Sequence, residues 1–315
     1  MDVITFGETM VVFNPKAAGP LTYVHEFGKS VGGGESNVAV ALARLGHSVG
    51  WFSRIGDDEF GRYIKNTIRG EGVDVSQVVF DNKYSTGLLF KEQYHGSNPN
   101  VYYYRKDSAA SHITPEDINE EYIKQAKIFH ITGITPAISV SAKEAVFKAL
   151  EIAKRNNVLI SFDPNLRLKL WSIEEARETL IKVAEYADII MPGLDEGEAL
   201  LGLNDEKRIA EYFHKSGVKT VAVKLGKDGC YLSNGNDNIY VKGYKVEKLV
   251  DTVGAGDGFA AGFLSGILRK LSLEECGEYA NGIGAMATLV PGDMDGYPGL
   301  NQLLSYIGKS AHIQR

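Results

Sequence analysis

The chain is short of the residues from which several kinds of protein are built. Among 315 residues there are two cysteines, Cys230 and Cys276, far apart and in no CxxC pair. That spacing supports neither a disulfide framework nor a zinc site, and both read as small buried hydrophobes of a reducing compartment. Positive charge is also scarce: 34 Lys and Arg stand against 40 Asp and Glu, a formal net charge of −6. A nucleic-acid backbone would meet no general attraction, so no nucleic-acid partner is expected. No apolar run approaches the roughly 20 residues that cross a bilayer. The opening MDVITFGETM has no basic region followed by an apolar run. Neither a secretory leader nor a membrane partner is expected, and the reading is a cytoplasmic protein. The seven histidines are scattered, with no H-E-x-x-H, and give a structural metal no support. No G-x-x-x-x-G-K-[ST] occurs, which excludes a P-loop. Gly282-Ile-Gly-Ala-Met-Ala287 fits G-x-G-x-x-A but lies inside a helical apolar pattern with no strand before it. It reads as close helix packing, not as a dinucleotide site.

What is present is an interior and a rhythm. Hydrophobic residues make up 44% and charged residues 23%, the balance of a globular protein with a core. Short β-branched or apolar runs at Val3–Phe6, Val49–Ser53, Ile128–Thr132, Val158–Phe162, Asp188–Met191 and Thr220–Lys224 predict strands. Helical spacing separates them at Ser36–Leu45, stopped by Gly46, and at Glu59–Arg69, opened by Asp58. It returns at Ser141–Arg155, Ile173–Glu185 and Glu206–Ser216. Such alternation predicts an α/β fold, a mainly parallel sheet with helices on both faces.

Two stretches break the alternation. Leu21–Phe27 and Ser85–Arg105 hold aromatic, β-branched runs, the second with Gly87–Tyr94 and Val101–Arg105 on either side of a turn at His95–Asn100. They read as a small antiparallel sheet projecting from the body. Few strands make a marginal sheet, so one face is expected to cover a ligand or another subunit. With no linker or repeat in sight, residues 1–315 are expected to form one domain, with a lid from about 11–30 and 85–108.

The segment with the most specific chemistry is Asp251-Thr-Val-Gly-Ala-Gly-Asp-Gly-Phe-Ala-Ala-Gly-Phe-Leu264. Gly254, Ala255 and Gly256 stand where a turn opens a helix running to about Leu268. Backbone N–H groups of a first helical turn have no internal partner, and the helix dipole favours negative charge there. Small side chains let a phosphate reach those groups, making a candidate anion hole, and Asp257 is placed to take a proton from an acceptor hydroxyl. Alone, G-A-G-D is as readily a tight turn with an Asp favoured at a helix start. Gly32-Gly-Gly-Glu-Ser-Asn37 is a second glycine cluster, which lets a backbone approach a hydroxylated ligand or simply caps the next helix.

Together these segments resemble the two signatures of the ribokinase-like (PfkB) carbohydrate kinases. Gly33-Gly34, Asn37, Ala39, Gly46 and Gly56 resemble the first, and Asp251-Thr-x-Gly-Ala-Gly-Asp257 with Ala261-Gly262 matches the second. The resemblance implies an α/β sandwich with a β-sheet lid, a sugar under the lid, ATP with Mg2+ across the C-terminal half, and Asp257 as the base. It places Lys224, Gly226 and Gly229 of Val223–Gly229 near the ATP phosphates or ribose, Asn165 on the nucleotide side, and Asn281 and Ala285 beside the adenine. Glu196 falls on the acidic position of the family's N-x-x-E motif, where it orients magnesium-bound water, although Gly193 stands where an Asn is usual.

The lid speaks to the substrate. Side chains alternate along a strand, so Tyr103 and Arg105 share a face of Tyr102-Tyr-Tyr-Arg105. A guanidinium beside aromatic rings suits a carboxylate, while a solvated charge and a packed or subunit-facing aromatic surface are the plainer alternatives. Within the family, this lid with Gly33-Gly34-Glu35 and Asp163-Pro-Asn-Leu-Arg167 resembles the 2-keto-3-deoxygluconate kinases. That resemblance assigns Gly34, Tyr103, Arg105, Arg167 and Asp293 to a sugar acid and makes the product a 6-phosphate. Fructokinase-like relatives share D-P-N-L-R, so a neutral sugar is the alternative substrate. A sugar-acid-binding regulator without catalysis is the alternative of another class. Exposed lid aromatics point to a homo-oligomer formed through the lid.

Overall fold

A computed structural model describes residues 1–94 and 100–309. The expected turn at 95–100 therefore lies outside the described residues, apart from Asn100. In chain order the first strands are β1 Val3–Phe6, β2 Met10–Pro15, β3 Phe27–Gly32, β4 Val49–Phe52, β5 Arg54–Gly56, β6 Val79–Asp81 and β7 Leu88–Glu92. There follow β8 Asn100–Tyr104, β9 Ile128–Thr132, β10 Leu159–Asp163, β11 Ile189–Ile190, β12 Thr220–Lys224, β13 Gly229–Ser233 and β14 Asn238–Lys242. The helices are α1 Gly34–Arg44, α2 Glu59–Gly70, α3 Glu120–Ile123, α4 Val140–Arg155, α5 Ile173–Ala184, α6 Leu194–Leu201, α7 Glu206–Lys215, α8 Ala255–Leu268, α9 Leu273–Ala287 and α10 Leu300–Tyr306.

The large sheet has the order β14-β13-β12-β11-β10-β9-β1-β4. Every pair from β4 to β12 is parallel, and β13 and β14 return antiparallel. Parallel pairs need crossovers, which the helical segments supply. The apolar runs are continuous because both faces are covered: Val3 enters a core shared with α1, α8 and α9, whereas Ile4 and Phe6 enter one shared with α4, α5 and α7. Helix starts follow their local signals. Asp58 accepts from the Gly61 N–H at 2.7 Å and Ser139 from the Ala142 N–H at 3.0 Å, each satisfying a donor the helix leaves open.

The lid sheet runs β3-β2-β7-β8. It is not wholly antiparallel as expected. Its two hairpin pairs are, but β2 and β7 pair in parallel, because each leaves the body in the same direction and each has its own returning partner. The stretch Leu21–Tyr23 is a short 3-10 turn after Pro20 rather than a strand, and pairing resumes at Phe27. On the inner face lie Met10, Val12, Leu89 and Val101 as an apolar patch; the outer face carries Phe13, Phe27, Phe90 and Tyr104 in mutual ring contact. Among the described residues no helix is long and apolar enough to cross a membrane.

Helices α8 and α9 pack closely because small residues face the crossing. A Cβ on Gly262 would stand 2.6 Å from the Tyr279 carbonyl oxygen, and one on Gly266 2.7 Å from the Cys276 Sγ. Overpacking such a contact costs about 1–3 kcal/mol, or about 2–6 °C in a chain of this size. Gly262→Val is therefore expected to lower Tm by that amount in calorimetry; an unchanged Tm would contradict the close approach.

Candidate active site

The parallel strands all point their carboxyl ends at one side of the sheet, the side on which open α/β folds bind ligands. Asp163 ends β10, Lys224 ends β12, Gly193 follows β11 and Glu8 follows β1. All four line a cavity of about 1090 Å³ whose roof is the inner lid face, with Met10, Leu89, Lys91, Val101 and Tyr103.

One wall is the start of α8. Gly254 caps it at φ +80°, a conformation that favours glycine, and any Cβ there would strike the Asp293 carbonyl oxygen. The Tyr297 hydroxyl donates to the Gly254 carbonyl at 2.7 Å and fixes the turn. Asp257 lies in the first helical turn, 7% exposed. Two amides hold its carboxylate: Asn37 Nδ2 donates to Oδ2 at 2.8 Å and Asn165 Nδ2 to Oδ1 at 3.2 Å. Helix α1 brings Asn37 there, and the Gly33 N–H donates to its Oδ1 at 3.4 Å, which turns the NH2 toward Asp257. Asn165 takes φ +39°, a left-handed conformation that asparagine tolerates. Burial pushes the Asp257 carboxyl up to about 7; the Asn37 bond opposes it, Asp163 adds to it, and Arg167 and Lys224 pull it back.

Facing this wall is an ionic cluster. Lys224 Nζ donates to both oxygens of Asp163 at 2.8 and 2.9 Å and lies 3.9 Å from Glu196 Oε2. Burial would lower the Lys224 ammonium, but Asp163 and Glu196 outweigh it and hold it above the usual lysine range. Glu196 is raised by burial, with Lys224 opposing. Its two oxygens accept from the Leu166 and Gly193 N–H groups at 2.8 and 2.7 Å. The position without an Asn side chain thus supplies a backbone donor.

Under the lid, Tyr103 and Arg105 share the cavity face, the guanidinium 5.7 Å from the ring centroid. Arg105 Nη2 meets the buried carboxylate of Glu8, whose other oxygen accepts from Ser108. The buried Arg105 Nε has no hydrogen-bond partner among the described residues. Asp293 is also in the lining, with Oδ1 taken by Lys91 at 2.7 Å.

Of the residues singled out from sequence, Gly34, Tyr103, Arg105, Asn165, Arg167, Glu196, Lys224, Gly226, Gly254, Gly256, Asp257 and Asp293 line this cavity. Ala255, Gly229, Asn281 and Ala285 are not in its lining. Gly229, at φ +105°, makes the β12–β13 turn, where a side chain would strike the Val241 backbone. Asn281 spends its amide on the Val241 and Lys242 carbonyls at 3.0 and 3.2 Å, tying α9 to β14. Sequence reasoning gave no role to Asp163, Glu8, Lys91 or Tyr297. Lys91 had one local signal, a charge two residues from Leu89 on an otherwise apolar strand face.

A buried carboxylate at a helix start and a lysine facing it across a cavity are groups suited to transfer of a phosphoryl group to a hydroxyl. The chain belongs to the pfkB family of carbohydrate kinases, which it matches over residues 1–299. It is a sugar kinase by that membership. Across its whole length it is 42% identical to a 2-dehydro-3-deoxygluconokinase of Bacillus subtilis, covering 98% of that protein. It is also 35% identical to fructokinase-1 of Zea mays, over 98% of each chain. Among solved structures, a putative ribokinase II of E. coli in complex with ATP and magnesium superposes with a TM-score of 0.91 at 30% identity, over 98% of this chain and 99% of that one.

Were Asp257 the base of such a transfer, it would act only as its carboxylate, and a carboxyl raised to about 7 takes up its proton as the pH falls through that value. The acid limb of the kcat/KM profile should therefore bend near pH 7 and fall about tenfold per unit below about 6. A profile flat down to pH 5 would contradict the placement of Asp257 in the reaction.

Proposed function

We propose that this chain phosphorylates the 6-hydroxyl of 2-keto-3-deoxygluconate with ATP, using Asp257 as the general base. The observation that carries the reading is the Asp257 carboxylate at the amino end of α8, held by two amides and opening on the lidded cavity. The acceptor O–H hydrogen-bonds to Asp257 and passes its proton to the carboxylate as the oxygen attacks the γ-phosphorus. The bond from that phosphorus to the β–γ bridging oxygen breaks, and ADP leaves with the electron pair. Of the expected anion hole, the Gly254 and Gly256 N–H groups with the Lys224 ammonium hold the oxygens of the migrating group, since the Ala255 N–H donates to the Thr252 carbonyl at 3.3 Å.

Magnesium bound with ATP would neutralise charge gathering on the phosphates. Among the described residues no cluster of three or more His, Cys, Asp or Glu side chains is arranged for a metal. The site fits an ion carried mainly by phosphates and water. Glu196 has each oxygen on a backbone N–H and retains lone pairs for such a water.

For the substrate, the Bacillus subtilis relative and the lid arginine favour a sugar acid, while the maize relative favours fructose as the alternative. Arg105 has a donor without a partner among the described residues and lies in the cavity lining, the chemistry that recognises a carboxylate. A sugar-binding regulator would not need the anion hole and the held carboxylate together. The buried thiols of Cys230 and Cys276, both pushed up to about 12 by burial, suit a cytoplasmic protein. The exposed Tyr102 and Tyr104 on the outer lid face are the surface we assign to a second copy of the chain.

A coupled ADP-release assay over 2-keto-3-deoxygluconate, fructose, ribose and adenosine should give turnover on the sugar acid. Turnover on fructose alone would replace the substrate. Asp257→Asn is expected to lower kcat by about 10²–10⁴ while ATP still binds. Arg105→Ala alone would strand the buried Glu8, so its effect is read in a Glu8→Gln background. There it should raise the KM for the sugar acid about 10–100-fold, the worth of a hydrogen bond to a charged group, and change fructose far less. Equal effects on both sugars would mean that Arg105 reads no carboxylate.

A further inference from the structure

The inner lid face carries one buried lysine among its apolar residues. Lys91 sits on β7 between residues that pack into the roof, with its side chain 5% exposed. A buried ammonium is costly unless charges and hydrogen bonds compensate it, and here the compensation comes from the body of the protein. Lys91 Nζ donates to Asp293 Oδ1 at 2.7 Å and lies 3.4 Å from Asp251 Oδ2. Two buried carboxylates thus share one cation borne by the lid.

Both carboxylates stand on the segments that shape the anion hole. Asp251 opens the loop into α8, and its Oδ1 accepts from the Val253 N–H at 3.0 Å. Its Oδ2 accepts from the Gly292 N–H at 3.5 Å, which ties that loop to the turn holding Asp293. The Asp293 carbonyl packs against Gly254, and Tyr297 in the same turn donates to the Gly254 carbonyl. Without the ammonium, Asp251 and Asp293 would repel each other across the contact that sets Gly254.

We infer that Lys91 is a positioning residue for phosphoryl transfer, holding Asp251 and Asp293 together so that the Gly254 and Gly256 N–H groups stay aimed at the migrating phosphate, and coupling that geometry to the seated lid. This rests on the kinase reading above. It also adds to it: the lid covers the sugar and, through Lys91, takes part in building the anion hole. Lys91 takes Oδ1 of Asp293 and not Oδ2, so the bridge leaves one oxygen for a ligand.

The test compares wild type, Lys91→Met and Lys91→Arg by two readouts. The first is the steady-state rate with ATP and 2-keto-3-deoxygluconate; the second is hydrogen exchange, without ligands, in a peptide covering residues 250–258. Small misplacement of catalytic groups costs on the order of 10²-fold, so Lys91→Met should lower kcat about 100-fold. Both KM values should change by less than about threefold, the pattern of an interaction that matters in the transition state. Exchange at the Val253 end of the peptide should accelerate while β9 and β10 stay protected. Lys91→Arg, which keeps the charge, should recover at least about tenfold of the lost kcat. If Lys91→Met does not fold, Lys91→Gln takes its place, with the same expectations.

Unchanged kcat with unchanged exchange would overturn the inference. So would a loss confined to the sugar KM, which would make Lys91 a direct sugar contact, or an Arg variant no better than Met, which would reduce Lys91 to packing. A wild type without turnover on any sugar would sink the kinase reading, and the exchange readout would still decide whether Lys91 fixes the loop.

Discussion

At the centre of the molecule a carboxylate is held under two opposing pressures. Burial pushes the Asp257 carboxyl toward its proton, up to about 7, while the Asn37 amide and the Arg167 and Lys224 charges draw it back toward the anion. The amino end of α8 adds its own preference for negative charge. A group balanced near neutrality can accept a proton from a hydroxyl and release it afterwards. That balance depends on the packing of α1 beside α8, which brings Asn37 to Asp257, and on the left-handed Asn165 after β10, which supplies the second amide.

Three cations of the cavity are already paired with carboxylates of the same chain. Lys224 is gripped by Asp163, Arg105 meets Glu8, and Lys91 bridges Asp251 and Asp293. Such pairing contributes little net stability when buried, but it fixes where each charge points. An anion entering the cavity then finds donors that need no rearrangement, and preorganisation of this kind is where electrostatic catalysis gains most. Two of the three pairs cross from lid to body, so the roof and the floor of the cavity share one set of charges.

Elements set by local chemistry were readable in the sequence. The start of α8 was visible because Gly-Ala-Gly-Asp carries a turn, a cap and a helix beginning in four residues. The parallel strands were visible because burial on both faces makes them continuously apolar. Less accessible were features decided by partners far along the chain. The parallel β2–β7 pair depends on two hairpins entering side by side, and neither segment carries a mark of it. Asn37 and Asp257 meet across 220 positions, and Lys91 and Asp293 across 202. Asn281 carried a motif position, yet its amide holds two β14-end carbonyls, a use only the packed α9 reveals. Gly229 was legible as a turn residue, and the turn claims it.

The most direct test is a crystal structure with 2-keto-3-deoxygluconate and a non-hydrolysable ATP analogue. The expected result has the 6-hydroxyl oxygen within hydrogen-bond reach, about 3 Å, of the Asp257 carboxylate, and the γ-phosphate against the N–H groups of Gly254 and Gly256. A sugar bound with that hydroxyl directed away from Asp257, or a γ-phosphate resting elsewhere, would contradict the central claim.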